Sequence, residues 1–299
     1  MDQKGISYLV GILHTQPSRI SRRWGLFLCH NNWVILASLL CIMKHLFIFL
    51  FLAISAICSA QLRVYTTANA HSHNDYEKPS PFWEAYKNKF GSIEADIFLD
   101  NGELIVAHDR EQVKKRFRLD SLYLKPLQQS IQANKGFVYA DSKRQLQLMI
   151  DLKTEGGSTL KAVVNQLSNY PALTNCPTLR ITISGNQPPE VDFTKYPSWI
   201  FFDGELQKEY TREQLERIPM ISDNFAKYSS WKGEGDMPQN ERMAIEGLIE
   251  KVHAMGKKIR FWNAPDNLKS WKVFIGLGVD YINTDHISEL TAFVKKDSI

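Results

Sequence analysis

The sequence predicts a (β/α)8 TIM barrel, an α/β fold, on three observations. Eight short apolar, β-branched runs follow one another along residues 61–299. Several of the stretches between them carry apolar residues at helical spacing. The polar residues inside the runs fall at alternate positions towards their C-terminal ends, where a barrel of about 250 residues gathers its catalytic groups.

In chain order, residues 1–60 read as a leader. "MKHLFIFLFLAISAICSAQ" starts at Met43 with a short basic region, continues as an apolar stretch and ends on small residues. That is the layout of a signal peptide over 43–60, cleaved after Ala60. It leaves 61–299 as a single exported domain: periplasmic, cell-surface or secreted. The 42 residues ahead of Met43 read either as an upstream mis-start or as a further membrane-seeking segment through "WVILASLLCIM". Taken without a break, residues 33–58 are long enough to span a bilayer, so a retained anchor is the alternative. Cys29, Cys41 and Cys58 lie in the leader and only Cys176 follows it. Neither a disulfide framework within one mature chain nor a cysteine metal site is expected. The net charge of +4 also belongs to the leader, since residues 61–299 hold 31 basic and 31 acidic groups. No basic field exists to draw in nucleic acid.

The first run, Arg63–Ala70, leads into "AHSHNDY", with His71, His73 and Asn74 at the strand end. The second, Ser92–Leu99, sets Glu94 and Asp96 on one side and Ile93, Ala95 and Ile97 on the other. "DNGELIVAHD" adds a turn at Asn101-Gly102 and a short extra strand that returns His108 towards the barrel mouth. The third, Leu146–Leu152, places Asp151 and the following Lys153 opposite Leu148, Ile150 and Leu152. The fourth to sixth are Leu179–Ser184, Trp199–Asp203 and Met220–Asp223. In the seventh, Lys258–Trp262, Arg260 and Trp262 oppose Ile259 and Phe261, and the eighth, Asp280–Asp285, ends on Asn283 and Asp285. Helices are expected at "PFWEAYKNKF", "LKAVVNQLSNY", "ERMAIEGLIEKVHAMGKK" and "NLKSWKVFIGLG". The apolar sides should meet these helices, and the polar sides should point into the barrel.

Three inward carboxylates, Glu94, Asp96 and Asp151, repel one another unless a cation sits among them. Oxygen-only ligation suits one hard divalent ion, Mg²⁺ or Ca²⁺. The alternative is a salt-bridged cluster around Lys153 and Arg260, and any single strand-end acid can simply cap a helix. His71, His73 and His108 add groups that can take a proton from a nucleophile and return one to a leaving group. With a metal to neutralise phosphoryl charge, that set suits displacement at a phosphodiester, and Lys153, Arg260 and Asn74 can donate to its oxygens. His71 is the favoured partner of His108, because it directly follows the strand. His253, on a helix, reads as structural, and His286 is open. His71-x-His73 also resembles the opening of amidohydrolase barrels, but the fifth and sixth runs end in Asp203 and Asp223 with no histidine near, so that rival lacks its zinc ligands.

Together "AHSHNDY…SIEADIFLDNGELIVAHD…LMIDLKTEG…RFWNAP…GVDYINTD" resembles the phosphatidylinositol-phospholipase-C-like phosphodiesterase superfamily, which includes glycerophosphodiester phosphodiesterases and sphingomyelinase-D-type toxins. The closest branch is that grouped with the altered inheritance of mitochondria protein. The resemblance implies a barrel using two histidines and one Mg²⁺ or Ca²⁺. It implies Glu94, Asp96 and Asp151 as metal ligands, His108 as one catalytic histidine, and Trp262 in the substrate pocket. Glycerophosphodiesterases read H-R-G where this chain has His71-Ser72 and His73-Asn74, a departure that bears on substrate choice.

Two function classes follow. The first is a metal-dependent phosphoric diester hydrolase, a monomer acting on a glycerophosphodiester or lysophospholipid-like substrate with membrane-surface contact. The second is a catalytically silent barrel that binds a ligand or a surface.

Overall fold

A computed structural model describes residues 42–45 and 64–296. The chain divides into two compact units, Met1–Leu62 and Arg63–Ile299. Of the first, residues 42–45 are helical; the rest of the expected leader, including the cleavage point and most of the 33–58 stretch, lies outside the described residues. Among the described residues no helix is long and apolar enough to cross a membrane.

The second unit is a nearly closed barrel of eight parallel strands. These are β1 Ala70–Ser72, β2 Ser92–Asp100, β4 Leu146–Leu152, β5 Leu179–Gly185, β6 Ile200–Glu205, β7 Met220–Asn224, β8 Lys258–Trp262 and β9 Ile282–Thr284, with β3 Glu103–Val106 as an antiparallel addition to β2. The order is β8-β7-β6-β5-β4-β2-β1-β9. A parallel bridge between Arg260 and Tyr281 links the two ends. Helices fall where apolar periodicity placed them, at Trp83–Lys87, Gly156–Leu167, Gln239–Ala254 and Leu268–Leu277.

The first expected strand is corrected. The β-branched run before Ala70 is not a strand: Thr66 caps a single 3-10 turn over Thr67–Asn69, and the Asn69 side chain bonds back to the Thr66 N–H. This reciprocal cap closes the turn locally, so pairing starts only at Ala70, and the strand is the "AHS" that carries His71. The hairpin is as expected. Asn101 and Gly102 take φ of 50° and 80°, a two-residue turn whose twist matches the flanking strands, and Asp100 pairs with Glu103.

Strand alternation sorts the barrel wall. Ile93, Ala95, Ile97, Leu148, Ile150, Leu152, Ile181, Ile183, Ile259 and Phe261 join the large apolar core under the helices. The inward face is mostly polar. His71 Nδ1 lies 2.8 Å from Ser92 Oγ, Gln147 Nε2 donates to the same hydroxyl at 3.1 Å, and Thr182 Oγ1 donates to Gln147 Oε1 at 3.0 Å. A small cluster of Met149, Met220 and Tyr281 fills the interior among them. His253 is structural, as expected: its Nε2 lies 2.7 Å from Asp280 Oδ2, which also accepts the Ile259 N–H, tying its helix to the β8–β9 closure.

Candidate active site

The strand C-termini open on a cleft of ≈ 340 Å³. His73, Glu94, Asp151, Lys153, Arg260 and Trp262 all line it, so six of the ten expected site residues meet there. Two further residues stand close by. Asp96, 1% exposed, is held by Lys153 at 2.9 Å. His108, half exposed, has Nδ1 3.7 Å from Asp96 Oδ2.

The two histidines of "HSH" differ sharply. His71, completely buried, has Nε2 2.6 Å from Glu94 Oε2 and also touches Arg260. Burial and then the Arg260 guanidinium push its pKa down to about 4, so the ring is neutral near pH 7. His73, two residues on, lines the cleft with Nδ1 3.3 Å from the Asp285 carboxylate. Burial alone would lower its pKa, but Asp285 and Glu94 outweigh that and raise it. Asp285 also pairs with Lys78 at 3.0 Å, and although burial opposes it, His73 and Lys78 hold its carboxyl down to about 2.

Asn74 takes a left-handed conformation at φ 45°, which turns the chain out of β1. Asp75 anchors that turn: it accepts from Ser72 Oγ at 2.8 Å, from the Phe82 N–H at 2.5 Å and from Tyr123 Oη at 3.0 Å. The turn delivers Tyr76, whose Oη lies 2.8 Å from Asp96 Oδ2, 2.9 Å from Asn74 Oδ1 and 3.2 Å from His108 Nδ1.

The carboxylates are partly matched by cations. Arg260 Nη1 donates to Glu94 Oε2 at 2.9 Å and to Asn283 Oδ1 at 3.1 Å, while Nε donates to Ser222 Oγ at 3.1 Å. Burial alone would raise the Glu94 carboxyl, but Arg260 and His71 hold it well below the usual carboxylate range. Arg260 is thus a largely buried side chain in the cleft lining whose guanidinium is already shared among Glu94, Ser222 and Asn283. Lys153 Nζ reaches Asp151 at 2.6 Å as well as Asp96, and these two acids raise its pKa against the effect of burial. Asp151 also accepts from Ser184 Oγ at 2.8 Å.

One oxygen stands out. Asp96 Oδ1 is buried and has no hydrogen-bond partner among the described residues. Burial, with Glu94 and Asp151 nearby, pushes the Asp96 pKa up to about 7. Among the described residues no group of three acids, histidines or cysteines stands in a metal-holding arrangement, because Lys153 draws Asp96 and Asp151 to itself and Arg260 draws Glu94. Even so, an all-carboxylate donor set with one orphaned buried oxygen fits a hard divalent cation, and Glu94, Asp96 and Asp151 are the residues that could hold it.

Sequence reasoning passed over Tyr76 and Asp203. Asp203 is a buried acid in the cleft, and its place at the end of the fifth run was the sequence signal that could have found it. Tyr76 gave no signal beyond following the histidine motif.

Residues 61–174 match the AIM6-like phosphodiesterase domain, and residues 258–287 match the glycerophosphoryl diester phosphodiesterase family. The two matches contain all ten expected site residues. Altered inheritance of mitochondria protein 6 from Kluyveromyces lactis is 26% identical over 302 aligned positions, covering 75% of this chain and 72% of that one. A homolog of the same protein from Arthroderma benhamiae is 26% identical, covering 73% and 81%. Among solved structures, a glycerophosphodiester phosphodiesterase from Parabacteroides distasonis shares the fold, at a TM-score of 0.51 and 14% identity, over 77% of this chain and 98% of its own.

Proposed function

We propose that this chain, which falls on the AIM6 branch of the glycerophosphodiesterase-like barrels, is a metal-dependent phosphoric diester hydrolase acting on a glycerophosphodiester or lysophospholipid-like substrate. The observation that carries this is a carboxylate cluster with an orphaned oxygen at one strand-end cleft, with His73 lining the cleft and His108 beside Asp96, each histidine steered by a neighbour. Asp285 orients His73, and Tyr76 orients His108.

In this reading His73 and His108 divide the proton work: one takes a proton from the attacking water as its oxygen bonds to phosphorus, and the other gives one to the departing alkoxide as the P–O bond breaks. Lys153 donates to a non-bridging phosphoryl oxygen. A divalent cation on Glu94, Asp96 and Asp151 would neutralise charge on the phosphoryl group. Trp262, 41% exposed, offers an apolar face at the cleft rim. His71, sealed between Ser92, Glu94 and Arg260, keeps the floor in shape instead of moving protons. The double pairing of Lys153 favours the second reading, a silent ligand-binding barrel in which ammonium replaces metal.

Alanine at each histidine separates these roles. His73→Ala and His108→Ala should each cut kcat by ~10²–10⁴-fold at nearly unchanged melting temperature. His71→Ala should lower the melting temperature, since it strips a partner from buried Ser92, Glu94 and Arg260 at a cost of about 2–4 kcal/mol. Near-full turnover in both the His73 and His108 variants would overturn the assignment.

A further inference from the structure

The barrel closes along a seam that the backbone ladder leaves open towards the mouth. β8 and β9 stand at opposite ends of the strand order. Among the described residues, backbone hydrogen bonding between the two sides stops at Tyr281, ahead of β9 itself. The Asp280 and Tyr281 N–H groups donate to the Ile259 carbonyl at 3.1 and 3.2 Å, and Arg260 bridges Tyr281. On its other side β9 is laddered to β1, with the His73 N–H donating to the Thr284 carbonyl at 3.0 Å. Asp285, which orients His73, comes next, where the open seam meets the mouth.

Asp266 spans that gap. It lies between β8 and the helix Leu268–Leu277 and is not among the residues lining the cleft. Its Oδ2 accepts the Asp285 N–H at 2.6 Å and Thr284 Oγ1 at 3.1 Å, and its Oδ1 accepts Trp271 Nε1 at 2.6 Å. Trp271 is buried, so the carboxylate is fixed from the core. An acid just ahead of a helix ordinarily caps it. Here Asn267 does that work, taking the Lys269 and Ser270 N–H groups, and Asp266 is aimed across the seam instead. His286, which the sequence left open, stands 4.0 Å from the same Oδ2.

The consequence falls on His73. An ionised carboxylate only accepts, so with Asp285 at Nδ1 the ring hydrogen sits on Nδ1 and Nε2 is the open nitrogen. The partner of one ring nitrogen sets the tautomer, and the partner must therefore be held. Lys78 pairs with the Asp285 carboxylate at 3.0 Å, and Glu94, Arg260 and His71 are the other charged or titratable groups that act on His73. The Asp285 N–H is held by Asp266. We infer that Asp266 is a positioning residue, which bridges the β8–β9 seam at the mouth and keeps Asp285 where it selects the His73 tautomer with Nε2 free. That His73 moves protons rests on the diesterase reading; the contacts through Asp266 do not.

Ring ¹⁵N spectra of His73, recorded above its titration range and assigned against His73→Ala, report the tautomer without substrate. Turnover of glyceryl p-nitrophenyl phosphate reports kcat and KM. In Asp266→Ala and Asp285→Ala alike the hydrogen should move to Nε2, the form free imidazole prefers, and kcat should fall roughly 10–100-fold at nearly unchanged KM. Asp266→Asn keeps the size of the side chain but offers one acceptor oxygen to three donors, and it should fall between wild type and Asp266→Ala. The double variant should be no worse than either single one. His253→Ala, which loosens the seam at its far end, should lower the melting temperature and keep the wild-type tautomer and kcat. An unchanged tautomer in the folded Asp266 variants, a double variant that multiplies the two losses, or the same tautomer shift in His253→Ala overturns the assignment. The expected tautomer shift in a protein whose wild type cleaves no diester keeps Asp266 as a positioning residue and removes the diesterase reading.

Discussion

His71 and His73 lie two positions apart on one inward-facing stretch, and depth and partners set them apart. The lower ring is neutral and sealed, and the upper one meets the cleft. The sequence made both legible as inward groups, because alternation is a property of the backbone. It could not show which was covered, because the cover comes from Arg260 on β8, far along the chain. Charge partners were hidden for the same reason: Asp285 reaches His73 from the end of the barrel. That contact makes a pH prediction. The folded pKa of His73 is raised above 6.5, so stabilisation by the pair is complete below 6.5 and is lost as pH rises through the folded value. In Asp285→Asn the raising partner is gone and the His73 pKa falls. The limb of the kcat/KM profile that His73 governs should move to lower pH; a limb that stays put would show that the Asp285 contact does not tune the reacting group.

Seven of the eight barrel strands lie within two residues of where their apolar runs placed them, since a strand buried on its outer face must keep strict alternation. β1 escaped because a local cap at Thr66 competes with pairing over a run that is otherwise β-prone, and composition does not reveal which side wins. The end of β5 holds a constraint that no periodicity reveals. Gly185 sits at φ +73°, and a Cβ there would stand 2.9 Å from both Asp151 carboxylate oxygens and 2.6 Å from the Leu152 carbonyl. Gly185→Ala should therefore cost about 1–3 kcal/mol of unfolding free energy from the left-handed backbone alone. It should also displace Asp151, so that Mg²⁺ or Ca²⁺ raises its melting temperature less than that of the wild type. Denaturant titrations measure the first effect, and thermal melts with and without the ion measure the second. An unchanged response to the ion would detach Asp151 from metal binding.

At the scale of the molecule, the described residues 64–296, which fall within the charge-neutral 61–299 stretch, form one barrel that gathers its polar groups at one mouth, and the barrel was readable from eight runs and their spacing. The leader is a separate matter. We propose that the chain is exported and that its mature form begins near Gln61, and N-terminal sequencing of material recovered outside the cytoplasm checks it; a chain that retains Met1 supports the anchored alternative. The central claim is that the carboxylate cluster and the two histidines make a metal-dependent diesterase, and one assay bears on it most directly. The purified protein is offered a panel of phosphodiesters after exhaustive chelation, and again after Mg²⁺ or Ca²⁺ is restored. The expected result is hydrolysis of at least one glycerophosphodiester or lysophospholipid that disappears on chelation and returns with the ion, accompanied by a rise in melting temperature from mass action. Turnover that persists without metal, or no diester cleaved in either state, would contradict it.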